Sequence, residues 1–177
     1  MGLRPAKTTR KFSTPAWTRY SKRRPRKSYV KSMPHKNLNT FETGVMKEDY
    51  DALIVLLSKD TIQIRDNAME AARQTLNRHL DRNLSTTYKF KVKKYPHQIL
   101  RENRMLSGAG ADRISKGMRK SFGKPSDLAA RFKPNDVVFE VFTYSNKFDV
   151  VSEAYRKAGQ KLSGNFKVLL KPIGGNE

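Results

Sequence analysis

An α+β domain, in which a compact sheet carries two helices, is the architecture this sequence predicts. Three observations predict it. Residues 60–83 place Ala68, Ala72, Leu76 and Leu80 at intervals of four, the spacing of one helical face. Residues 86–95 alternate Tyr88, Phe90 and Val92 with Lys89, Lys91 and Lys93, the spacing of a strand with one face buried. The predicted elements run strand, helix, strand, long loop, strand, helix, strand, which folds two strand–helix halves onto one sheet.

In chain order, residues 1–41 form a basic arm with 12 Lys or Arg and no acid. Its charge and few apolar residues leave it without a core of its own. Phe12, Trp17, Tyr20 and Tyr29 punctuate the cations. Cations neutralise phosphates and aromatic rings stack on bases, so the arm is read as RNA-binding. Its candidate contacts are Arg4, Lys7, Arg10, Lys11, Arg19, Arg23, Arg24 and Arg26, with Trp17 and Tyr20 as stacking residues. Residues 42–177 suffice for a single domain with a real core.

"DALIVLL" (51–57) predicts a buried strand. The helix over 60–83 is expected to be capped by Asp60, with Asp66 in its early turns. Arg73 and Arg78 project away from its apolar stripe and are secondary RNA candidates. The alternating strand 86–95 has a lysine face that suits either RNA or a charge-defended edge. "NDVVFEVFTY" (135–144) predicts a further strand. A second helix over 148–162 carries Phe148, Val151, Tyr155, Ala158 and Leu162, with Gly164 as its stop. "NFKVLLK" (165–171) closes the domain as a strand.

Between the halves lies "LRENRMLSGAGADRISKGMRKSFGKP" (100–125), with four of the ten glycines and little apolar periodicity. A long loop inside a compact domain is functional or disordered. Glycines permit close backbone approach and cations favour phosphates. The loop over 101–125 is therefore read as inserting into structured RNA, through Arg101, Arg104, Gly108, Gly110, Arg113, Arg119, Lys120 and Lys124. Residues 102–112 are expected to order only against a target.

The 37 Lys or Arg against 16 Asp or Glu give a net charge of +21. Such an excess calls for a polyanion, most commonly nucleic acid. Its distribution is uneven: residues 85–133 carry 13 cations against 3 acids, whereas 42–84 and 134–177 are nearly balanced. With no cysteine, disulfides and thiolate metal sites are excluded. No apolar run is long enough to span a membrane, and prolines at 5, 15, 25 and 34 oppose an amphipathic transit helix. His35, His79 and His97 lack ligand spacing, so no metal is expected. "GAGADR" does not join a strand to a helix and no G-K-[ST] follows, which argues against a nucleotide-binding turn. Asp112 is the only acid between Glu102 and Asp127, so a carboxylate pair is missing locally. No enzyme and no cofactor are expected.

"LRPAKTTRK" (3–11), "QIRDNAMEAARQ" (63–74) and "KKYPHQILRENRMLSGAGADRISKGMRKSFGKP" (93–125) closely resemble the archaeal-type L-ten-e family of large-subunit ribosomal proteins, whose bacterial relatives are called L-sixteen. The "EAAR" of residues 70–73 is shared with the bacterial branch. The bacterial "RMGKGKG" loop falls near 117–123, where Met118, Lys120 and Gly123 match while Gly117, Arg119, Ser121 and Phe122 depart. The resemblance implies a hammerhead-like α+β fold and a cytoplasmic place in the large subunit. It implies rRNA binding near the aminoacyl-tRNA site, with the loop toward the tRNA acceptor ends. Other ribosomal proteins are implied as neighbours, with no membrane and no self-association. An RNA chaperone or maturation factor that leaves the mature particle is the alternative.

Overall fold

A computed structural model describes residues 32–102 and 123–173, together with Arg26 and Val30. The strands are β1 (Glu42–Gly44), β2 (Ala52–Ser58), β3 (Ile62–Arg65), β4 (Lys89–Val92), β5 (Gln98–Glu102), β6 (Lys124–Phe132), β7 (Val137–Thr143) and β8 (Phe166–Pro172). The helices are α1 (Asp66–Leu84) and α2 (Phe148–Gly159), the second entered through a 3-10 turn at Ser145–Lys147. The α+β class and the two helices are as the sequence predicts.

The strands form two antiparallel sheets where one was expected. The larger has the order β1-β4-β7-β2-β8 and the smaller β3-β6-β5. The larger sheet packs its inner face on both helices. Ile54, Leu56, Phe90, Phe139 and Val141 meet Met69, Ala72, Leu76 and Leu80 of α1 and Val151, Ala154, Tyr155 and Ala158 of α2 in one buried cluster. Every residue of the predicted α1 stripe except Ala68 is fully buried; Ala68 packs at its margin. The Tyr155 hydroxyl, fully buried, donates to the Ile54 carbonyl at 2.9 Å and ties α2 to β2. Burial pushes its ionisation far above the usual range, so it stays a donor. Tyr155→Phe is expected to lower stability by about 1–2 kcal/mol, because the acceptor loses its partner without regaining water; urea unfolding measures it.

The smaller sheet corrects the predicted boundary of the first helix. Residues 62–65 are strand, because Ile62 and Ile64 are buried against Phe132 and Ala130 of β6 in antiparallel register. Asp60 does not cap α1. Its carboxylate accepts from the backbone N–H and the side-chain amide of Asn165, both at 3.0 Å. Asp66 takes over the helix entrance. One carboxylate oxygen accepts the Asn67 N–H at 2.8 Å, and the other accepts the backbone and side-chain N–H groups of Asn37 at 3.0 Å.

The second helix also ends earlier than expected, at Gly159, leaving Leu162 beyond it but still buried. Gly164 is not its stop. It turns the chain into β8 with φ +100°, where a side chain would come within 2.7 Å of the Ile62 methyl.

Candidate nucleic-acid interface

The smaller sheet gathers the two cation-rich segments. Strands β5 and β6 pair from Gln98↔Ala129 to Glu102↔Lys124, so residues 103–123 leave and return through adjacent strands. The loop read over 101–125 therefore has a paired stem, and Arg101, Glu102, Lys124 and Pro125 belong to it. Pro125 lies on the central strand, yet β3 reaches only positions 129–132, and the β5 register shifts beside it. A missing N–H is tolerated there because no ladder bond toward β3 is required.

The arm reaches the same stem. Val30 is 2 % exposed and forms a separate small core with Ile99 and Leu128, which are themselves cross-strand partners in β5 and β6. Leu38 then enters the main core, and Asn37 holds Asp66. The residues leading out of the arm are thus fixed at three successive points. Arg26, the one described arm residue among the candidate RNA contacts, is exposed.

Arg101 is half-buried, and burial lowers the pKa of its guanidinium, which nevertheless remains charged at neutral pH. Lys124 is exposed at the mouth of the stem. The other named positions lie outside the described residues: Arg4, Lys7, Arg10, Lys11, Trp17, Arg19, Tyr20, Arg23 and Arg24 in the arm, and Arg104, Gly108, Gly110, Arg113, Arg119 and Lys120 in the loop.

The lysine face of β4 is not a bare cationic surface. Glu42 of β1 meets Lys91 at 2.9 Å and Lys89 at 3.1 Å, and Glu140 of β7 meets Lys93 at 3.1 Å. The hydrogen bonds from Lys91 and Lys89 hold the Glu42 carboxyl below its usual range. Lys94 is likewise occupied, by Asp136 and the Arg131 carbonyl. These lysines join three strands, a role the alternation alone did not separate from RNA contact.

On α1 the two arginines named from sequence differ. Arg73 makes a two-point pair with Glu70, at 2.8 and 2.6 Å. Arg78 is exposed, and neither it nor Arg82 has a carboxylate partner among the described residues. Asp81, between them, accepts from the Tyr88 hydroxyl and from Asn77. These side chains line a groove of about 530 Å³.

A further aromatic group was missed. Tyr95 stacks on Phe41 with ring centroids 5.4 Å apart, lies 4.7 Å from the His97 ring, and has the Lys36 ammonium 5.6 Å from its centroid. The "KKYPH" run carries the signal, a Tyr and a His two apart after cations, but Phe41 and Lys36 are distant in sequence. Among the described residues no group of three His, Asp or Glu side chains is placed to hold a metal ion, and no helix is long and apolar enough to cross a membrane.

Fold and charge together define a basic α+β scaffold with both cation-rich segments tethered to one small sheet. The chain belongs to the ribosomal protein L16p/L10e family, whose model matches residues 15–169. It is 39 % identical over 172 residues to the large ribosomal subunit protein uL16 of Methanocella arvoryzae, covering 97 % of this chain and 96 % of the relative. The proteins of the same name from Archaeoglobus fulgidus and Staphylothermus marinus are each 38 % identical, over 88 % and 98 % of this chain and 90 % and 96 % of their own lengths.

Proposed function

We propose that this chain is a structural protein of the large ribosomal subunit in the cytoplasm, binding rRNA near the aminoacyl-tRNA site and helping to position tRNA. It acts by binding, with no catalysis of its own. The observation that carries this reading is the shared anchorage of arm and loop, Val30 seated on Ile99 and Leu128. A single small sheet then sets the spacing between two segments that would otherwise search for phosphates independently. The arm lies along rRNA, and the 103–123 segment approaches the acceptor ends of tRNA. Family membership and the names of the relatives support the ribosomal setting.

The test is stoichiometry. The chain should cosediment one-to-one with mature large subunits through a high-salt wash. A substoichiometric amount, confined to precursor particles, would instead identify a maturation factor.

Availability also ranks the helix α1 cations. Arg78→Met should flatten the salt dependence of rRNA binding by about one phosphate contact, whereas Arg73→Met, whose charge is already paired with Glu70, should leave it nearly unchanged. Filter binding across a salt series separates the two.

A further inference from the structure

Beside the entrance of α1 lies a cavity of about 420 Å³. Arg65, Asn67, Ala68 and Ala71, from the end of β3 and the start of α1, line it together with Lys161, Leu162 and Ser163 after α2. No carboxylate lines it. Arg65, at the end of β3, has no ion pair among the described residues, and its Nη1 is a buried donor without a partner. Asn67 Oδ1 is likewise buried without a partner. Unsatisfied buried polar atoms are costly, so the pair points to an occupant with an acceptor for Arg65 and a donor, such as a sugar hydroxyl, for Asn67. Lys161 is exposed and also lacks a carboxylate partner among the described residues.

The attraction does not come from the helix terminus. Asp66 already occupies that position, and its charge is met by three N–H groups from Asn67 and Asn37. It comes from two cations on separate elements, with an amide and a hydroxyl beside them. Their spacing is fixed in advance. Lys161 and Leu162 donate backbone hydrogen bonds to Ala158 and Gly159, Asn165 is held twice by Asp60, and Gly164 packs against Ile62. A site whose walls are already ordered loses little entropy when it binds.

We propose that this cavity seats a backbone phosphate of rRNA, an inference that rests on the ribosomal reading above and adds a contact outside the arm and the loop. Its size admits a phosphate with part of the flanking sugar. It adjoins the Asn37–Asp66 clamp, where the chain leaving the arm meets the domain.

The experiment is filter binding of the full chain to large-subunit rRNA over a salt series. Lys161→Met and Arg65→Met should each lower the slope of log affinity against log salt by about 0.9, and Lys161→Arg should retain it. Lys161 is exposed, so its variant stays informative even if Arg65→Met unfolds. Unchanged slopes in folded variants, alongside a flattened slope on deletion of residues 1–29, would overturn the cavity assignment and leave the RNA reading standing. An unchanged slope in the deletion as well would remove the RNA reading itself. Inorganic phosphate is the second probe: if it shifts the Ser163 amide resonance while rRNA slopes stay unchanged in both variants, the cavity binds free phosphate, and the rRNA assignment fails.

Discussion

Deleting residues 1–29 is expected to lower the affinity for large-subunit rRNA by at least about a thousandfold near 0.1 M salt and to flatten its salt dependence. The deleted stretch carries ten Lys or Arg and no acid. If about six of those cations lie on phosphates, their released counterions account for a slope near −5 in log affinity against log salt. The domain should still fold, because Val30, Asn37 and Leu38 remain to make their contacts with Ile99 and Leu128, Asp66 and the main core. Circular dichroism unchanged in shape, together with the weakened binding, is the expected pair of results. A deletion that binds as well as the full chain would show that the arm does not sit on phosphates.

Replacing residues 103–123 by Asn-Gly is the second large effect, and it falls on function while sparing the fold. Glu102 and Lys124 are cross-strand partners, so a two-residue turn closes the hairpin between them. Among the described residues the main core is built mainly from side chains of Leu38, the two helices and the strands, and the small core from Val30, Ile99 and Leu128. The melting temperature should move by only a few degrees, roughly what one or two kcal/mol produces in a domain of this size. Subunits carrying the variant should be impaired in tRNA-dependent steps or in late maturation. Normal rates in both would mean that the segment does not reach tRNA, and loss of the fold would make it structural.

How much of this was legible depended on whether the determining contacts were local. The α1 stripe of Ala72, Leu76 and Leu80 and the β4 alternation of Phe90 and Val92 were readable because burial follows the period of each element. Strand β3 was hidden because Ile62–Arg65 runs into α1 with no turn residue between, so two isoleucines were absorbed into the helix. Strand β6 contains Pro125 and a run of buried residues at 128–130, which breaks the two-residue period; it is a strand because β3 and β5 flank it. With β3, β5 and β6 missing, the second sheet was invisible from sequence. Charge pairing was equally non-local. Lys91 faces Glu42 across strands distant in the chain, while Arg65 and Lys161 come together only through the turn after α2. The composition of the basic segments could be read directly, but their common tether at Ile99 and Leu128 is a tertiary fact.

Site-specific photocrosslinking in intact large subunits tests the central claim most directly. A photoreactive residue at position 20 in the arm, and another at position 119 in the loop, should each crosslink to rRNA or tRNA, at sites spaced within the reach set by the shared sheet. If both positions give no RNA crosslink and are cleaved by protease in the assembled particle, the basic segments face solvent and the account is contradicted.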